Sequence, residues 1–166
     1  MTIDTLPTIA NDRYLPILLD EQEIDPDLLM RELGDVGIDC RPDGENGLYV
    51  TSLAFNFWLR VDEQRHYLVF NTYAPLVPAE ESDGALQFAN ELNSDKLLIQ
   101  FFVDLGQLRL TGCYMLSYRG GLLRRQLLRT AILFASIFAE ATTYGRRQGL
   151  CDALENEAKP PQDKLN

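Results

Sequence analysis

The sequence predicts an α+β fold, an antiparallel sheet packed against helices in the order α-β-β-β-α-β-β-α. Three observations carry this. Segments 55–62 and 97–104 alternate apolar and polar residues with the period of two that marks half-buried strands. Turn clusters rich in Asp, Gly and Asn at 43–47 and 104–107 join neighbouring segments into hairpins. The stretch 122–144 has no Gly or Pro and repeats apolar residues at three- and four-residue steps, the spacing of a helix.

Residues 1–23 read as an N-terminal arm. Its segment 14–19 is apolar but contains Pro16, which fits an edge strand or a packed extended segment. The first helix is expected to start at Asp25, a good N-cap, with Pro26 at the first helical position. Ile24 can staple onto Leu29 across that cap. Leu29, Leu33 and Val36 form the expected buried stripe, and Gly37 the expected end. Asp20, Glu21, Glu23, Asp25 and Asp27 crowd the positive end of this helix. They lack the turn glycine and terminal glutamate of a calcium loop, so no metal site is expected there.

Strands follow at 38–41 and 48–51. In the next strand Phe55, Phe57, Leu59 and Val61 face inward and Trp58 outward, and residues 66–73 return. An outward tryptophan is either an ordinary exposed aromatic or a binding anchor. Pro75 and Pro78 mark a connector over 74–79. Ser82 can cap a second helix over 83–92 with Leu86, Phe88 and Ala89 inward. In the strand after it, Leu97, Ile99, Phe101 and Val103 alternate with an outward set that contains Phe102. Residues 108–116 return, and Gly120-Gly121 makes a tight turn.

The last helix is apolar nearly all round. Leu127, Ala131, Phe134 and Phe138 share one face, and Ile132, Ala135 and Ile137 widen it. That girth exceeds what one sheet covers, so the helix is expected to serve as core and as the seam of a homodimer. Gly145 is its expected C-terminal cap. Its uncharged run, 130–139, falls well short of the ~20 residues of a membrane span. The single domain is thus expected over 24–148, with a mobile polar tail over 149–166.

Composition narrows the function. The 166 residues carry a net charge of −10 and are 46% hydrophobic, which fits one globular domain and disfavours nucleic-acid binding. The charge is uneven. Residues 119–147 hold six arginines against one acid, Glu140, a local balance of +5 that leaves −15 for the remainder. Arg119, Arg124, Arg125 and Arg129 near the start of the last helix are candidate anion ligands, unless nearby acids pair with them. Cys40, Cys113 and Cys151 are odd in number and lack metal spacing, which suits a reducing cytoplasm. The lone histidine, His66, cannot complete a zinc site with them. There is no GxGxxG, no GxxxxGK[ST] and no GxSxG, so neither a phosphate cradle nor a serine elbow is present. No catalytic residue and no cofactor are expected.

The element order, together with Asn90-Glu91-Leu92-Asn93, the strand at 97–103, the turn at Gly106 and Gly120-Gly121 before an apolar helix, resembles the YbjN-type proteins, described as "putative bacterial sensory transduction regulators". It is also similar to class I type III secretion chaperones. The resemblance covers residues 24–145. It implies a compact α+β fold, commonly homodimeric, that binds protein segments without enzymatic chemistry. Two readings follow. In the first, the chain is a chaperone- or adaptor-like protein-binding module, with Trp58 and Phe102 as anchors on the outer sheet face, or an open strand edge that accepts a peptide. In the second, it senses a small ligand or anion through the arginines at 119–129.

Overall fold

The computed structural model describes residues 17–78 and 83–152. The arm over 1–16, the Ser82 cap and the tail beyond 152 lie outside the described residues. The first helix, α1 (Pro26–Gly34), begins where its signals place it. Asp25 is extended, and its Oδ1 accepts the Leu28 N–H at 2.7 Å. The helix ends three residues before Gly37. Gly37 then takes φ +78°, and the Ile38 N–H returns to the Leu33 carbonyl at 3.0 Å. This early end leaves Val36 exposed rather than in the stripe, and Leu28 is buried beside Leu29 and Leu33 instead.

The main sheet has six strands, all paired antiparallel: β2 (Cys40–Pro42), β3 (Gly47–Val50), β4 (Phe57–Asp62), β5 (Tyr67–Pro75), β6 (Gln100–Asp104) and β7 (Arg109–Ser117). Their spatial order is β2-β3-β4-β5-β7-β6. Two short strands, β1 (Leu18–Leu19) and β8 (Leu122–Leu123), pair separately. That pairing removes Leu122 and Leu123 from the last helix. Gly120 and Gly121, at φ +77° and +100°, supply the sharp turn that delivers them to it. The last helix, α3, therefore runs Arg124–Arg147.

One sheet face carries the core. Leu59, Leu68, Phe70, Leu110 and Phe101 point from it toward α3, whose Leu127, Ala131, Phe134 and Phe138 are all fully buried. Phe134 meets Phe57 and Phe70 with ring centroids 5.2 and 5.7 Å apart, and Phe138 stacks on Phe101 at 6.0 Å. Gly112 on β7 makes room for this: a Cβ there would sit 2.6 Å from the Phe138 ring. Ile137 is only partly buried. Helix α2 (Asp83–Asp95) extends three residues past its expected end. It buries Phe88, Ala89 and Leu92, while Leu86 is exposed because it points off the core side. Leu97 precedes β6 and is almost fully exposed, so the inward set of that segment begins at Ile99.

The end of α3 differs from expectation too. Gly145 is inside the helix, because Cys151 and Phe88 pack where a side chain would stand. The actual reversal is at Gly149, φ +72°, with the Leu150 N–H bonded to the Gly145 carbonyl at 2.9 Å. Residues 150–152 then return to the fold. The Val77 N–H reaches the Leu150 carbonyl, the Asp152 N–H reaches the Pro75 carbonyl, and Cys151 is buried. Among the described residues no helix is long and apolar enough to cross a membrane.

Candidate functional site

Among the described residues, no helix packs on the opposite face of the six-stranded sheet. Period-two alternation sends Tyr49, Trp58, Asn71, Tyr73, Phe102, Arg109, Thr111 and Met115 to it. The register aligns several of them: Tyr49 lies opposite Trp58, Trp58 opposite Asn71, and Tyr73, Thr111 and Phe102 share the neighbouring row. The rings make a continuous series. Tyr49 meets Trp58 at 5.0 Å, and Trp58 stacks on Tyr73 at 5.6 Å with planes 10° apart. A guanidinium closes each end, Arg41 over Tyr49 at 5.1 Å and Arg109 over Tyr73 at 4.0 Å.

Trp58 does point to the outer face, as its alternation implies, but it is not exposed. Only 3% of its surface is accessible, because the two tyrosines come from neighbouring strands and close over it. It is thus an element of a covered aromatic series. Its Nε1 is buried and has no acceptor among the described residues. Phe102 is the exposed aromatic of this face: 48% of it is accessible, and Met115 is similarly open.

Beside the aromatic series lies an open concavity of about 720 Å³. Trp58, Arg60, Val69, Asn71, Phe102 and Arg109 line it together with Asp62, Glu63 and Asp104. Two of these acids serve local turns. Asp62 accepts from the Arg65 backbone N–H and guanidinium at 3.0 and 3.1 Å. The backbone bond is the larger reason its carboxyl is held below the ordinary range. Asp104 Oδ1 accepts the N–H groups of Gly106 and Gln107. Cys113 is half-buried in the adjoining row, and burial raises its thiol pKa.

The four arginines of the 119–129 cluster do not converge. Arg124 binds Glu32 and Asp35 of the α1 region. Arg119, Arg125 and Arg129 are exposed and lie apart from the concavity. The acids at 20–27 do other work. Asp20 and Asp25 cap helical turns, and Glu21 contacts His66 Nδ1 at 2.6 Å and accepts the Gly120 N–H at 2.7 Å. Among the described residues no three His, Cys, Asp or Glu side chains are grouped for a metal ion.

Asn93 has a role that its position at a helix end concealed. Its side-chain amide donates to the Phe101 carbonyl at 2.8 Å and accepts the Phe101 N–H at 2.7 Å. Phe101 sits on β6, the outermost strand, so the amide fills the place of one residue of a further strand. The centre of that edge is closed to an incoming peptide. Only the pairing of an amide residue with an edge strand eight positions on could have signalled this.

A family model described as "YbjN: Putative bacterial sensory transduction regulator" matches residues 25–143. The crystal structure of YbjN from E. coli, described as "a putative transcription regulator", resembles this chain with a TM-score of 0.65 at 17% identity. The match covers 76% of this chain and 95% of that one, a likeness that shows the shared fold. No curated protein matches the sequence. With the family model spanning most of the α+β domain, the chain belongs to the YbjN family of bacterial regulator-type proteins.

Proposed function

We propose that this protein is a non-enzymatic, cytoplasmic regulatory adaptor that binds a segment of another protein on the uncovered face of its six-stranded sheet. The observation that carries this is the exposed Phe102 and Met115 beside a stacked aromatic series on a face that no helix covers among the described residues. Aromatic and methionine side chains suit partner surfaces: a ring offers a large contact area with few rotatable bonds, and methionine adapts its shape to the partner. The family description as a sensory transduction regulator points the same way. A net charge of −10 favours a protein partner over direct contact with nucleic-acid phosphates. Chaperone-like holding of an extended segment is the specific form of this adaptor role.

The protein acts as a homodimer in this proposal, with the partly exposed Ile132, Leu133 and Ile137 of α3 as its seam. The anion-sensing alternative now rests on Arg119, Arg125 and Arg129, since Arg124 is engaged by two acids. Capture from a host lysate tests the main reading, with wild-type protein and Phe102→Ser as baits. A specific protein retained by the wild type and lost with Phe102→Ser supports it. Equal retention by both baits rejects the surface.

A further inference from the structure

The concavity beside Trp58 contains two arginines, three carboxylates and one buried hydrogen-bond donor that has no acceptor among the described residues. The indole Nε1–H is donor-only, buried, and without a partner among the described residues. A buried donor left unpaired is destabilising, so its retention calls for an explanation. Arg60 lines the same concavity and forms no ion pair among the described residues. Arg109 rests there on the Tyr73 ring, and among the described residues no carboxylate forms an ion pair with it. Asp62 and Asp104 are committed to their own turns, which leaves Glu63 as the one lining acid without such a task. Asn71 and Thr111 add further polar groups, and Phe102 and Val69 add an apolar wall.

We infer that this concavity holds a carboxylate of an acidic, extended peptide, accepted by the Trp58 indole N–H and by the guanidiniums of Arg60 and Arg109. A carboxylate is acceptor-only when ionised, the complement of this donor set. The Trp58 Nε1 has no accessible surface in the unbound protein, so in this proposal the Arg109 guanidinium leaves Tyr73 for the carboxylate and uncovers the indole N–H. A peptide suits the site better than a free small acid. Along β5, Val69, Asn71 and Tyr73 line the concavity at two-residue steps, and alternate residues of an extended chain lying along that strand would meet them. The inference rests on the protein-binding reading and names the chemistry of its partner.

The test uses three fluorescein-labelled octapeptides with alternating valine and a second residue: glutamate, glutamine or lysine. Fluorescence anisotropy with the full-length protein gives affinity, and unlabelled glutarate serves as a competitor. The Val-Glu peptide should bind saturably and the other two roughly tenfold more weakly or worse. Trp58→Phe keeps an aromatic ring and removes the donor, and should weaken the Val-Glu peptide by roughly tenfold while the cooperative thermal unfolding of the protein is retained. Arg60→Gln with Arg109→Gln should abolish the preference for glutamate. Binding of the Val-Gln peptide with equal strength overturns the carboxylate while leaving the protein-binding face intact. Binding of no peptide, with Phe102-dependent capture also absent, overturns both readings. Displacement by glutarate at the concentration of the peptide itself overturns the peptide as occupant.

Discussion

The two faces of the six-stranded sheet are built from the same strands but obey different rules. On the helix side, phenylalanines and leucines interlock with α3, and every large side chain at the centre is fully buried. On the other side the aromatics carry polar tips, arginines lie over the rings, and Phe102 and Met115 remain open. A face that only needed covering would be apolar and carry a helix. A face that only needed solvation would be charged throughout. The second face is neither: its central rings pack against one another rather than beneath another layer of the described residues. In the function proposed above, that arrangement presents an ordered surface to a partner.

The largest contrast is expected from single aspartates on α3. Phe138→Asp places an unpaired charge between Gly112 and Phe101 and should unfold the protein, a loss above about 4 kcal/mol. Ile137→Asp, one residue away and only partly buried, should cost much less. Gel filtration beside thermal melting separates the two, since a lost dimer with a retained fold identifies the seam. On the second face, Trp58→Ala removes the middle ring of the series and should cost about 3–5 kcal/mol. Trp58→Phe should cost less, about 1–2 kcal/mol from the smaller ring, because the lost N–H has no acceptor among the described residues. A loss from Trp58→Phe in urea unfolding as large as that from Trp58→Ala would contradict an unpaired indole N–H.

Gly112→Ala should destabilise by about 1–3 kcal/mol through its clash with the Phe138 ring. Asn93→Ala should cost a similar amount, about 1–3 kcal/mol, from two lost hydrogen bonds. It also frees the β6 edge, so concentration-dependent self-association in ultracentrifugation is the distinguishing readout.

The smallest effect concerns pH. Burial pushes the Cys151 thiol up to about 11 from an ordinary 9.0, with Arg146 pulling the other way. Over that interval the folded state keeps a proton that the unfolded chain has released, so stability falls as pH rises from about 9 toward 11. Cys40, Cys113 and Tyr118 are shifted in the same direction and add to the slope. Cys151→Ala should flatten this decline without abolishing it, as measured by urea midpoints across the range.

Much of the fold was legible because its signals are local. The Asp25-Pro26 start of α1 and the apolar stripe of α3 need only neighbours in sequence to read. So does the alternation of β4. The departures arise from contacts between distant segments. Trp58 is buried because Tyr49 and Tyr73 arrive from β3 and β5, and strand alternation reports direction without reporting what lies above. Gly145 is helical because Cys151 and Phe88 need its missing side chain. Asn93 caps an edge strand because β6 returns alongside α2. The arginine cluster looked coherent in sequence, yet Arg124 turns to Glu32 and Asp35 while its neighbours face solvent. Charge clustering along a chain says little about which acids a fold brings near.

The most direct measurement is capture of the host partner by two surface variants of equal stability: Phe102→Ser on the open sheet face, and Arg125→Ser with Arg129→Ser on the exposed side of α3. Loss of the partner with Phe102→Ser alone is the predicted result. Retention by Phe102→Ser with loss in the α3 variant would contradict the sheet face as the binding surface and return the arginines to the centre of the function.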